Sequence, residues 1–245
     1  MSSTRPAEAR KARAAAAMAE QRRRERQRRA RVVAIGAALA VALLVVLGVA
    51  WQSSRTTSAS TGATPTSATA SGGFVVGVPA AKVEVRVYAD FLCPVCGQFE
   101  QSTGPTLDSL VQAGTIRVEY HPIAILDRAS STQYSTRSAS AAACAAEADK
   151  FRPFAEALYR EQPAEGSAGL TDARLVEIGS SVGITGKDFA SCVNDHRFTG
   201  WATRVTDSAS KAGIVQTPTV LVNGTPLADR SPAGLQAAVA AAAKG

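Results

Sequence analysis

The chain has 245 residues, of which 46% are hydrophobic, with four cysteines and a formal net charge of +7; this length holds one large domain or two small ones. Residues 1–31 carry eleven Arg or Lys against three Glu, a net of +8, which leaves −1 for the other 214. The positive charge therefore belongs to a tail.

That tail, densest at RRRERQRRAR, is followed from Val32 to Trp51 by twenty uncharged residues. As a helix they would be about 30 Å long, the hydrocarbon thickness of a bilayer. Arginines before the span and only Arg55 soon after it predict a cytoplasmic N-terminus and an exported remainder in a single-pass cell-membrane protein. A disordered nucleic-acid-binding arm explains the arginines less well, because they abut an apolar span. A cleaved signal peptide is the stronger rival, with Gly48 and Ala50 as a small-residue cleavage site. The stretch exceeds the roughly 7 to 15 residues of a usual signal core, which favours an uncleaved anchor. Residues 52–73 hold twelve Ser or Thr and no large apolar side chain. They read as a disordered linker that would hold the next domain about 25 Å from the membrane.

The remaining domain, residues 74–245, is long enough to bury a core. KVEVRVYA (82–89) alternates as a strand should, with Val83, Val85 and Val87 on one face. A helical pattern follows from Gly97 to Ala113, with a kink or break expected at Gly104–Pro105. TIRVEYHPIAI (115–125) is a second strand, so the order predicts a parallel, right-handed βαβ unit. From about 130 to 213 only helical patterns appear, an insertion. TPTVLVNGTPLA then predicts a strand, an Asn223–Gly224 turn and a short return strand. A last helix begins with Ser231 as N-cap and Pro232 at N1. The fold class is α/β, a helix–sheet sandwich around a mixed sheet.

At the strand-to-helix turn stands DFLCPVCGQFE, residues 90–100. Cys93 and Cys96 could bind metal, staple the chain or exchange electrons. A structural zinc site needs four ligands, and Cys144, Cys192, His121 and His196 are isolated in sequence. A static bridge across so short a loop removes little entropy from the unfolded chain. Redox exchange remains, and it has a physical cause. With Cys93 near the N-cap and Pro94 near N1, unpaired N–H groups and the helix dipole favour a Cys93 thiolate. Its disulfide is then more easily reduced and more oxidising toward other thiols. Cys96, one turn inside, would be the shielded, resolving thiol.

The run D-F-x-C-P-x-C-G, the later Thr217–Pro218 before a strand and the helical insertion between them resemble the DsbA-like thioredoxin-fold thiol–disulfide oxidoreductases, notably their membrane-anchored actinobacterial members. The resemblance covers roughly residues 74–245. It implies a thioredoxin-like fold with Cys93 as the attacking and leaving sulfur and Cys96 as the resolving one. It also implies a cis Pro218 facing the pair, and Thr217 backbone groups that bind an extended substrate. Two departures accompany it. Val95 replaces a His of the Pro94–Val95 dipeptide in the best-known member, and Val87 replaces a buried Glu. Asp90 is the nearest carboxylate, either a proton-transfer group or a solvated cap of the turn, and Glu84 is expected to be solvated. Cys144 and Cys192 are expected to form a structural disulfide within the insertion. His121 is expected at a strand end as a core or boundary residue, with tuning of the site as the other reading. Trp201, Phe151 and Phe154 are expected in the core, and Phe91 and Leu92 either in an apolar rim or packed. No metal or cofactor is expected. The implied activity is disulfide donation to reduced exported proteins, with reoxidation by a membrane quinone-coupled partner of DsbB or vitamin K epoxide reductase type. A reductase or isomerase, for instance in cytochrome c maturation, and a non-catalytic protein-binding module are the alternatives.

Overall fold

The computed structural model of the protein describes residues 62–244. The basic tail (1–31), the apolar span (32–51) and the linker as far as residue 61 lie outside the described residues. Among the described residues no helix is long and apolar enough to cross a membrane. All described residues fall in one contact unit, Thr57–Gly245.

Five strands form one mixed sheet: β1 (Phe74–Val76), β2 (Val83–Ala89), β3 (Ile116–Pro122), β4 (Thr219–Val222) and β5 (Thr225–Pro226), in the order β1-β3-β2-β4-β5. β2 and β3 run parallel, as the βαβ reading requires, and β1, β4 and β5 pair antiparallel to their neighbours. The register sets Val83, Val85 and Val87 opposite Ile116, Val118 and Tyr120, all buried. The residues between them form charged and aromatic cross-strand pairs. Glu84 meets Arg117 at 2.8 Å, Arg86 meets Glu119 at 3.1 Å, and Tyr88 stacks on His121 at 4.4 Å between centroids. Glu84 is thus ion-paired, also with Arg86, rather than merely solvated.

Helix α1 (Pro94–Gln112) crosses from β2 to β3. It continues as one helix through Gly104–Pro105, where the sequence predicts a kink or break. Pro105 and Gln101 are both exposed, so the carbonyl that loses its N–H partner can be hydrated. A 3-10 turn (Asp127–Ala129) leads into the insertion: α2 (Tyr134–Ala146), α3 (Phe151–Arg160), α4 (Asp172–Ser181), α5 (Lys187–Asn194) and α6 (Thr199–Lys211). Helix α2 is almost wholly Ala and Ser on its buried faces, so α3, α5 and α6 can all approach it closely. Cys144 on α2 and Cys192 on α5 are joined by a disulfide. Phe151, Phe154 and Trp201 are core residues. Asn223 and Gly224 both take positive φ at the β4–β5 turn. Helix α7 (Pro232–Ala242) opens with the Ser231 hydroxyl accepting from Gly234 N.

Two features depart from the expected linker and domain start. Strand β1 extends the sheet through a three-residue pairing. Residues 66–71, expected within an unpacked linker, lie along the domain: Thr66 and Ser67 donate to Glu147, and Thr69 and Ser71 to Glu119. Ala68 packs against the core between them. Two carboxylates of the folded domain give this hydroxyl-rich stretch the partners that its composition alone does not reveal.

Candidate functional site

The turn after β2 is fixed by Asp90. Its carboxylate accepts from Leu92 N (2.9 Å), Leu126 N (2.9 Å) and Ser135 Oγ (2.7 Å), and its carbonyl accepts from Cys93 N (3.0 Å). Asp90 is fully buried, not solvated, and burial is the main reason its carboxyl is pushed up to about 6. Its oxygens hold the chain on both sides of the sheet's end in place. Phe91 and Leu92 pack inward, Phe91 against Tyr159.

The turn delivers Cys93 as the N-cap of α1 with extended backbone (φ −72°, ψ 116°), and Pro94 follows at the first helical positions. No acidic residue occupies the first turn, so nothing there opposes the positive end of the helix dipole. Cys96 N and Gly97 N donate to the Cys93 carbonyl. Both thiols are free, and both are buried, Cys93 at 6% exposure and Cys96 at 1%. Their proton affinities are driven apart. The Cys93 thiol is lowered to about 5, chiefly because the Cys96 S–H donates to its sulfur. The Thr217 hydroxyl and the backbone N–H groups of Cys96 and Val95 add to this, against the opposing effect of burial. The Cys96 thiol is raised far above its usual range, first by burial and then by that same bond to Cys93. Val95, 49% exposed, contributes its N–H and no charge.

The opposite wall is the segment before β4. The Thr217–Pro218 peptide is cis, and the Thr217 carbonyl lies 3.5 Å from Cys93 Sγ. Thr217 thus offers an acceptor to the thiol and, through its hydroxyl, a donor to the thiolate. Arg230 donates to the Pro218 carbonyl while its own carbonyl accepts from Thr103 on α1, so this loop is tied to the same helix that carries the cysteines. The structure brings together Cys93, Pro94, Val95, Cys96, Thr217 and Pro218. Asp90 stands behind the turn, and the Cys144–Cys192 bridge belongs to the insertion. His121 is buried near the end of β3.

Sequence reasoning missed Gln162, just beyond α3. Its Nε2 donates to the carbonyls of Phe91 and Cys93, each at 2.9 Å, and so locks the insertion to the redox turn. Gly97 makes this possible, since a methyl group there would collide with Gln162 Oε1. A lone Gln after a helix gives no sequence signal for such a role.

The thioredoxin family model matches residues 69–241. Among solved structures, the reduced disulfide bond oxidoreductase DsbG of Mycobacterium tuberculosis is 35% identical with a TM-score of 0.63, covering 71% of this chain and 88% of that one. Oxidised DsbA of the same organism is 36% identical with a TM-score of 0.61, covering 73% and 91%. The serine/threonine-protein kinase PknE of M. tuberculosis is 31% identical over 146 residues, which are 57% of this chain. The match spans about a quarter, 26%, of the length of that kinase.

Proposed function

This chain belongs to the thioredoxin family as a DsbA-like thiol–disulfide oxidoreductase, and on that premise we propose that it acts as an oxidase, donating a Cys93–Cys96 disulfide to reduced exported proteins. The observation that carries this direction is the placement of Cys93 at the N-cap of α1 against Thr217, which lowers its thiol, while Cys96 lies deeper and burial raises its own. A stabilised Cys93 thiolate is a good leaving group and favours the reduced form of the pair, which makes the disulfide form oxidising.

A substrate thiolate attacks Cys93 Sγ, the less deeply buried sulfur, and Cys96 leaves. A second substrate thiolate then attacks the substrate sulfur of the mixed disulfide and expels Cys93. The substrate leaves oxidised by two electrons. Thr217 backbone groups hold an extended substrate segment beside Cys93 in β-type pairing. Val95 and Val215, 49% and 76% exposed, are apolar side chains on the two segments that meet at Cys93, suited to unfolded chains. In this reading residues 32–51 anchor the enzyme in the membrane with its catalytic domain outside. Reoxidation falls to a quinone-coupled membrane oxidase of DsbB or vitamin K epoxide reductase type.

The test is transfer to a reduced, unfolded protein of known disulfide content, with no other oxidant present. The oxidised enzyme is expected to convert substrate thiols to disulfides stoichiometrically while losing its own Cys93–Cys96 bond. Failure to transfer, together with efficient reduction of substrate disulfides by the reduced enzyme, would reverse the direction.

A further inference from the structure

The N–H of Cys96 has two claimants. One is the Cys93 carbonyl, to which it donates at 3.0 Å. The other is the Cys93 sulfur, whose charged form the same N–H favours. A carbonyl oxygen has two lone pairs, and Gly97 N, at 3.1 Å, is the second backbone donor to this one. If Cys96 N–H turned to the sulfur and nothing replaced it, the Cys93 carbonyl would be left with Gly97 N alone, and the thiolate would gain a donor at the carbonyl's expense.

A replacement is built into the insertion. Gln162 Nε2 donates to the Cys93 carbonyl and to the Phe91 carbonyl, each at 2.9 Å. One NH2 group has two hydrogens, so it can serve both acceptors at once. The orientation of the amide follows from these partners, since an oxygen turned toward two carbonyls would meet only other acceptors. With Gln162 and Gly97 N in place, both lone pairs of the Cys93 carbonyl are filled without Cys96 N–H.

The position of Gln162 is itself held from two sides. It follows Glu161, the C-cap of α3, whose carboxylate is gripped by Arg174 of α4 at 2.7 and 2.8 Å. Phe91, one of the two residues whose carbonyls it bridges, packs its ring on Tyr159 of α3 at 5.1 Å. Across the gap stands Gly97, the last residue of the C-P-x-C-G run. Glycine is a poor helix former, yet it occupies the first turn of α1. A methyl group there would come within 2.4 Å of Gln162 Oε1. The glycine after the second cysteine is thus explained by the close approach of this amide.

We propose that Gln162 is a positioning residue of the redox reaction: by filling the Cys93 carbonyl it releases the Cys96 N–H to the Cys93 sulfur whenever that sulfur carries charge. The proposal rests on the exchange chemistry assigned to the pair above. In the second step of transfer a substrate thiolate attacks the substrate sulfur of the mixed disulfide. The bond to Cys93 Sγ breaks, and its electron pair stays on Cys93. At that moment Cys96 N–H turns from the carbonyl to the new thiolate, and Gln162 and Gly97 N keep the carbonyl bonded. In the disulfide form Cys93 Sγ is uncharged and the N–H returns to the carbonyl. The Gln162 bond therefore stabilises the reduced pair more than the oxidised one, and it makes the disulfide a stronger oxidant.

The test compares the full-length wild type with Gln162→Met, which keeps the length of the side chain and removes both donors. Two quantities are read: the pH at which the Cys93 thiolate forms, from its absorbance, and the equilibrium constant for reduction of the Cys93–Cys96 disulfide by glutathione. In Gln162→Met the thiolate should form at higher pH, and the equilibrium constant should fall roughly five-fold, the worth of one hydrogen bond. Gly97→Ala, which displaces the same amide, should shift both in the same direction. Replacing both Cys144 and Cys192 by Ala should lower the melting temperature and leave both readings at the wild-type value. Unchanged readings in both Gln162→Met and Gly97→Ala would overturn the positioning role, as would an equal shift in the variant without the bridge. A wild type that does not exchange with glutathione overturns the exchange chemistry itself, and the positioning role with it.

Discussion

The chain holds two pairs of cysteines whose surroundings differ in kind. Cys144 and Cys192 face each other from two helices of the insertion, bonded and buried, with no titratable role. Cys93 and Cys96 occupy the first turn of one helix, free, with one thiol lowered and the other raised. Both pairs are apolar in their packing, so burial alone does not distinguish them. The difference lies in the backbone. The redox pair sits at a helix N-terminus, where the N–H groups of Val95 and Cys96 favour a charged Cys93 sulfur and a second loop brings Thr217 to it, and a thiolate is stabilised there. The bridge sits within helices whose N–H groups are already bonded, and nothing favours breaking it.

The largest effect expected from this contrast is loss of function at one pair and its retention at the other. Cys93→Ser should abolish disulfide transfer and form no mixed disulfides. Cys96→Ser should accumulate substrate adducts through Cys93, visible on non-reducing gels. Equal trapping by both variants would remove the assignment of roles.

A pH series on stability sharpens the same contrast. In the reduced form the Cys93 pKa is depressed from 9.0 to about 5, so between these values the folded state binds fewer protons than the unfolded one. Stability of the reduced protein should rise with pH through this window and be lost as pH falls toward about 5. Asp90 acts in the opposite sense, since its raised pKa makes stability fall as pH rises from 3.8 to about 6, but it does so in both redox forms. The reduced-minus-oxidised difference in unfolding free energy therefore isolates the redox pair. A difference independent of pH over this window would contradict a thiolate at Cys93.

The structural bridge should act on stability alone. Cys144→Ser opens a link with a sequence separation of 48, worth at most roughly 4 kcal/mol in the chain-entropy model. The melting temperature should fall, while transfer by Cys93 persists at permissive temperature. The smallest effect is expected from Gln162→Ala, which takes its donor from the Phe91 carbonyl and leaves the Cys93 carbonyl with Cys96 N and Gly97 N alone, at about 1 kcal/mol. Gly97→Ala should produce a similar loss by displacing the same amide, and the two losses should not add. Strict additivity in the double variant would separate the two residues.

Much of the site was legible because its signals are local. Alternation in 82–89, the cysteines at a strand-to-helix turn, Pro94 at N1, the Asn223–Gly224 hairpin and the Ser231 cap each rest on a few adjacent residues. What stayed hidden depends on partners far along the chain. Strand β1 is three residues that become a strand only against β3, and Thr66 to Ser71 read as linker until Glu147 and Glu119 supply acceptors. Gln162 acts on carbonyls about seventy residues earlier. Asp90 was open to two readings because sequence shows a carboxylate near the turn but not the Leu126 and Ser135 groups that enclose it.

The most direct test of the account is a redox titration of the protein in glutathione buffers of graded potential, with each cysteine's state read by alkylation and mass spectrometry. The account predicts that Cys93 and Cys96 titrate together at a potential well above the about −270 mV of thioredoxin, while Cys144 and Cys192 remain bonded throughout. A Cys93–Cys96 potential at or below that of thioredoxin, or reduction of the Cys144–Cys192 bridge first, would contradict it.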